Sequence, residues 1–143
     1  MKTKLNFKRL FANLLIAVFV LTAGSELLAQ EKKANDLKNF KVVVEKTDNG
    51  IKMQSIEGSA WIDLSFNINN DRPQAIDEYG MTKLNNVSSK KDSNLANFLF
   101  TITKTKKGII LKGIEGTAWT DLSFSLTENG KQAIDQYGMT KLN

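Results

Sequence analysis

The chain has 143 residues, with 20 Lys+Arg, 15 Asp+Glu, no His, no Cys and one Pro, for a formal charge of +5. Without His or Cys there is no Ser-His-Asp triad, Cys-His pair, zinc finger, thiolate cluster, disulfide or His-held haem. Only carboxylate, Lys, Tyr and Ser/Thr chemistry remains, in a length that suits one domain or two very small ones.

Lys2, Lys4, Lys8 and Arg9 precede an apolar run over 11–23 (FANLLIAVFVLTA), and a short segment ends in the small residue Ala29. This is the layout of a secretory signal peptide. The run is shorter than the roughly 20 residues a transmembrane helix needs. Residues 1–29 are therefore expected to be cleaved, and membrane contact is expected only through that segment if it stays uncleaved. The mature protein is expected in the periplasm or outside the cell. Removing Lys2, Lys4, Lys8, Arg9 and Glu26 leaves 16 basic and 14 acidic groups. A near-neutral chain supplies no basic stripe, so no nucleic-acid partner is expected.

Residues 30–39 are polar and read as a loose arm. Residues 40–85 and 98–143 then align without a gap at an offset of 58, identical at 25 of 46 positions. This is an internal duplication, with 86–97 as a polar linker. The identities cluster. Positions 56–66 share 9 of 11 residues and positions 74–85 share 11 of 12, whereas 67–73 share none of 7. Two blocks are thus retained, IEG-x-AW-x-DLSF and QAID-x-YGMTKLN. Turn geometry and core packing explain such retention in one way, and a pair of equivalent binding surfaces explains it in another.

Within each copy the pattern is β-like. Phe40, Val42 and Val44 alternate with Lys41, Val43 and Glu45, and Phe98, Phe100 and Ile102 fall on the same phase. Asp48-Asn49-Gly50 is a hairpin signal, and a second strand is expected over 51–56 or 109–114. Glu57-Gly58 turns the chain into a third strand over 61–68, with Ile62, Leu64, Phe66 and Ile68 on one face and Trp61, Asp63 and Ser65 on the other. Pro73 before AIDEY and Gly80 also fits a short helix. The hairpin signature Asn129-Gly130 at the same place in the second copy favours a fourth strand over 74–77 and a fifth over 81–84. Lys41, Lys46, Lys104, Lys106 and Lys107 read as blockers of strand edges. The expected fold is all-β: two tandem antiparallel β-meander repeats packed as one pseudo-twofold sandwich or barrel. A single 46-residue unit is marginal by itself; two separate units joined by the linker are the alternative.

Trp61 and Trp119 are the only tryptophans, one per copy. With Asp63 and Tyr79, or Asp121 and Tyr137, an exposed Trp suits sugar binding, because aromatic faces stack on pyranose rings and carboxylates take hydroxyls. The competing reading makes each Trp a core anchor with its N–H bonded to backbone. Glu57, Asp63 and Asp77 recur as Glu115, Asp121 and Asp135. Glycosidase chemistry needs two carboxylates roughly 5–10 Å apart, but turn and cap bonding accounts for such residues without it; no catalytic residue is assigned. Asp48, Asn49, Asn69, Asn70 and Asp71 supply oxygen donors without EF-hand spacing. Lys106 and Lys107 replace Asp48 and Asn49 in the second copy, so neither a metal nor a cofactor is expected. Ser88-x-x-Lys91 and the sequon Asn86-Val87-Ser88 lie in the linker, away from any companion motif.

The signal ending LAQ, with GTAW-x-DLSF and QAID-x-YGMT, resembles small exported proteins of Bacteroidota-type bacteria that carry such repeats. The resemblance spans both copies. It implies an envelope or extracellular location and transfers no catalytic residue. The residues thus point to a non-enzymatic exported module that binds protein or glycan. A structural, self-associating envelope protein is the alternative, and a carboxylate-dependent hydrolase the weakest of the three.

Overall fold

The computed structural model describes residues 36–85 and 91–143. The expected signal peptide, residues 30–35 of the arm, the sequon and Ser88 lie outside the described residues.

The alternating segments form ten strands: β1 (Lys41–Lys46), β2 (Gly50–Glu57), β3 (Asp63–Asn67), β4 (Pro73–Asp77), β5 (Gly80–Thr82), β6 (Leu99–Lys104), β7 (Gly108–Glu115), β8 (Asp121–Ser125), β9 (Lys131–Asp135) and β10 (Gly138–Thr140). All pairings are antiparallel. One sheet runs β10-β9-β1-β2-β3 and the other β5-β4-β6-β7-β8. The two pack face to face as a sandwich over one core. Residues 74–77 are strand, as the repeat signature favoured, and no helix occurs among the described residues.

The connectivity adds something the repeats did not announce. Only β1-β2-β3 and β6-β7-β8 are meanders. The β4-β5 hairpin of the first copy joins the second copy's sheet, where Ile76 pairs with Phe100, and β9-β10 joins the first copy's sheet, where Ile134 pairs with Val42. Each sheet therefore holds three strands from one copy and two from the other. The crossing occurs at Asp71 and Asn129, both left-handed with φ 65 and 64, a conformation that Asp and Asn tolerate best among non-glycines. Their N–H groups donate to Lys104 O (2.8 Å) and Lys46 O (2.7 Å), each in the opposite copy. Asn129-Gly130 is thus a sheet-to-sheet crossing rather than a hairpin.

The hairpin glycines have a different task from the one the Asn-Gly pair suggested. Asp48 and Asn49 keep negative φ. Gly50 and Gly108 are needed because a Cβ there would lie 2.0 Å from the carbonyl oxygen of Phe66 or Phe124 on the neighbouring strand.

Both sheets send alternate residues inward. Phe40, Val42, Val44, Ile51 and Met53 meet Phe98, Phe100, Ile102, Ile109 and Leu111, with Ile76 and Ile134 from the exchanged hairpins. Phe40 and Phe98 occupy equivalent repeat positions and stack on each other with ring centroids 4.4 Å apart. Phe98 stacks in turn on Phe100 (5.6 Å), and Phe100 meets Trp119 at 5.9 Å. The pseudo-twofold relation therefore runs through an aromatic stack shared by both copies.

Two expectations are corrected. Ile62 is 71% exposed and Trp61 is buried, the reverse of the phase extended from Leu64 and Phe66. Strand β3 begins at Asp63, so alternation does not reach back through the loop that carries Trp61 and Ile62. Lys41, Lys46 and Lys104 are not edge blockers. Strand exchange places β1 and β6 at the sheet centres, and Lys46 and Lys104 are buried. The edges are the five-residue β3 and β8 and the three-residue β5 and β10; shortness protects the latter pair.

Candidate functional site

The retained blocks meet along each side of the sandwich, where the loop before β3 is fastened to the end of β4 in the opposite sheet. Ala60 N donates to Glu78 O (2.8 Å) and Trp61 Nε1 to Asp77 O (3.0 Å). The second copy repeats this with Ala118 N to Gln136 O (2.8 Å) and Trp119 Nε1 to Asp135 O (2.9 Å). Trp61 is 9% exposed and Trp119 7%. Both indoles lie in the core with their polar tips satisfied, and neither offers a face on which a sugar could stack.

The carboxylates divide by role. Asp77 Oδ1 accepts the Tyr79 N–H (2.8 Å), and Asp135 Oδ1 accepts those of Tyr137 (2.8 Å) and Gly138 (3.1 Å). These are turn-holding contacts. They shape the tight bend into β5 and β10, where Gly80 and Gly138 take φ 126 and 131, open to glycine at little cost. Asp63 and Asp121 are exposed at the starts of β3 and β8. Glu115 is exposed and pairs with Lys91 at 3.2 Å. Among the described residues, no three His, Cys, Asp or Glu side chains gather into a metal-holding group.

What the bend presents outward is aromatic and apolar. Tyr79 is 44% exposed and Tyr137 61%, and Met81, Leu84, Met139 and Leu142 are also exposed. Beside Met81 and Leu84 lies a concavity of about 660 Å³ that reaches Pro73 and Thr101 on the outer face of β4 and β6. In the second copy Lys131 replaces Pro73 and pairs with Glu45 at 3.6 Å. Met81, Leu84, Met139 and Leu142 were not singled out in the sequence. Their signal was there: they sit in the block where 11 of 12 residues are shared.

The one difference in that block is buried. Gln136 Oε1 accepts Phe40 N–H (3.2 Å) and its Nε2 donates to Asn39 Oδ1 (2.9 Å). The equivalent pair is Glu78 and Asn97. Glu78 also accepts a backbone N–H, that of Phe98, but it has no amide to offer. Asn97 Oδ1 is buried without a hydrogen-bond partner among the described residues. Burial pushes the Glu78 carboxyl above its ordinary value of 4.5, with the charges of Asp77 and Glu115 adding, against two backbone hydrogen bonds. A raised carboxyl favours the protonated fold. Its contribution is full below the unfolded value and is lost as pH rises through the folded one. Glu78→Gln is therefore expected to stabilise the protein at pH 7 by about 1 kcal/mol, the scale of one buried hydrogen bond. The gain should shrink toward pH 4, and Gln136→Glu should do the reverse. Urea unfolding at the two pH values checks both.

Compared with known proteins, the chain matches no family model, no curated protein and no solved structure.

Proposed function

We propose that this protein is an exported, non-enzymatic binding module that presents one surface twice, once along each side of the sandwich. Each surface is built on Tyr79, Met81 and Leu84, or on Tyr137, Met139 and Leu142, with Asp63 or Asp121 on the adjoining edge strand of the other sheet. One observation carries the reading: these exposed side chains are identical in both copies. Core packing accounts for the shared buried residues of the block, Ala75, Ile76 and Gly80, but not for its shared exposed ones, and the one position that differs (Glu78 against Gln136) is buried. Exposure alone does not account for identity, because 67–73, also largely exposed, share nothing between copies. Contact with something outside the chain accounts for it. Exposed Met and Leu beside Tyr favour a protein partner over a glycan, since exposed apolar groups are typical of protein contact sites. The tryptophans support this surface from beneath.

A photo-crosslinking side chain at position 81 or 139 is expected to trap the same partner from both positions in cells that make the protein. One at position 52, an exposed residue of β2 between the buried Ile51 and Met53, is expected not to. Different partners at 81 and 139, or none at either, contradict the proposal. The double variant Tyr79→Ser with Tyr137→Ser is expected to abolish trapping while the protein stays folded, as circular dichroism would show.

Self-association is the second reading, favoured by the free outer edges of β3 and β8, one on each side of the molecule. The two copies also differ in charge, with 5 basic and 7 acidic groups over 40–85 against 6 and 4 over 98–143, which would favour contact between unlike copies of two molecules. Sedimentation across a wide concentration range separates the readings; a monomer throughout removes the second.

A further inference from the structure

At one end of the sandwich the turns after β1 and β6 and the crossings after β3 and β8 enclose a polar basin of about 560 Å³. The pseudo-twofold relation passes through it. Lys46 Nζ donates to Lys106 O (2.8 Å), and its repeat equivalent Lys104 donates to Asp48 O, so each lysine bonds a turn of the other copy. A surface on this axis occurs once per molecule, and the two copies are free to specialise in it. Much of the basin comes from the segment that shares no residue between copies: Asn67, Ile68, Asn69 and Asn70 of the first copy and Glu128 of the second line it. Divergence on the axis and retention off it divide the molecule into one unique site and two repeated ones.

The floor of the basin is cationic. Lys46 and Lys104 are 5% and 6% exposed, yet among the described residues each ammonium makes one hydrogen bond, to a backbone carbonyl. Neither takes part in the ion pairs of the described residues, Lys91–Glu115 and Lys131–Glu45. Burying two ammoniums without a paired carboxylate is costly, and each keeps N–H donors in reserve. Lys106 adds a third cation, against Asp48 and Glu128. Those two carboxyls are hydrogen-bonded to each other, a contact that raises the Glu128 carboxyl above its ordinary value together with the Asp48 charge, while Lys46 and Lys104 pull it down. Three lysines thus face two acids, and the Asp48–Glu128 hydrogen bond needs a proton on one of them, so the basin is net positive. The amides of Asn49, Asn67, Asn69 and Asn70 and the Thr105 hydroxyl complete the wall with groups that both donate and accept. Of the five oxygen donors noted in the sequence, Asp48, Asn49, Asn69 and Asn70 converge here and Asp71 does not line the basin; two buried ammoniums face them, which suits an anion and opposes a cation.

We propose that this basin binds a small monoanionic, hydroxyl-rich ligand of the sugar-acid class. Its carboxylate rests on Lys46 and Lys104, and its hydroxyls bond the asparagine amides and Thr105. The two ammoniums match one carboxylate, and the neutral amides match hydroxyls.

The test is a nitrogen–proton correlation titration of the protein with glucuronate, glucose and inorganic phosphate in parallel. Saturable shifts of the Asn49, Asn70 and Thr105 amides with glucuronate are expected, weakening several-fold when salt is raised about tenfold, as charge-driven binding does. Asn70→Ala, on an exposed loop, is expected to weaken binding about fivefold, the scale of one hydrogen bond, with unfolding unchanged. Glucose shifting the same amides as strongly overturns the cationic floor. Phosphate doing so overturns the role of the hydroxyls. Glucuronate leaving them unmoved overturns the site. Crosslinking at positions 81 and 139 is unaffected by any of these results, so the basin and the lateral surfaces stand or fall separately.

Discussion

Residues 98–143 expressed alone are expected to be unfolded as a monomer and to gain β structure only on dimerising. The reason is strand exchange. In the intact chain β9 pairs with β1 and not with β6, and β6 takes its second partner, β4, from the other copy. An isolated copy leaves β6 with one free edge and its share of the Phe40–Phe98–Phe100 stack exposed. A unit of that size cannot offset its own ordering entropy without a shared core. A second identical copy can supply what is missing, because β4 and β9 both read QAID. The strand that must pair with β6 is thus present in either copy, and the dimer should rebuild the whole sandwich. Circular dichroism across a dilution series, with sedimentation at the same concentrations, checks this. A folded monomer at low concentration contradicts it.

Trp119→Ala is expected to cost about 3–5 kcal/mol, the range for deleting a buried large aromatic. The loss combines the cavity beside Phe100 with the bond from Nε1 to Asp135 O. Trp61→Ala should behave alike, since the same loop-to-strand fastening recurs there. Against a total stability of about 5–15 kcal/mol for a small domain, either change takes the protein near its limit. Trp119→Phe keeps most of the buried ring and should cost markedly less. Urea unfolding measures all three, and a cost under about 1 kcal/mol for Trp119→Ala would show that the indole does not anchor the core.

Much of the fold was legible because β structure writes itself locally. Alternation at Phe40, Val42 and Val44 and at Phe98, Phe100 and Ile102 marks the inward face without reference to any partner. Over 74–77 the second copy's Asn129-Gly130 pointed to strand, although that pair makes a crossing between sheets and not the hairpin it resembles. What was not legible is pairing. QAID satisfies either sheet equally, so no local signal assigns β4 to the neighbour of β6; that choice is settled by the shared core. The lysine positions failed for the same reason, because an edge is a property of the whole sheet. Trp61 failed differently. Its alternation was extended across a loop, and a residue outside a strand has no phase to inherit. For the candidate site, Tyr79 and Tyr137 were legible as repeated aromatics, and the exposed methionines and leucines were hidden by their resemblance to ordinary strand residues. Glu78 shows that one carboxyl-for-amide difference acquires meaning only once burial and its Asn97 neighbour are known.

The claim that two copies share one core is tested most directly by unfolding two single-tryptophan variants, Trp61→Phe and Trp119→Phe, in urea. The remaining indole reports the second copy in the former and the first copy in the latter. If the copies are interwoven, fluorescence and circular dichroism should fall together in a single transition within each variant, whichever indole is observed. Two separated transitions, or fluorescence and circular dichroism that part company, would mean that each copy folds by itself and would contradict the exchanged-strand sandwich.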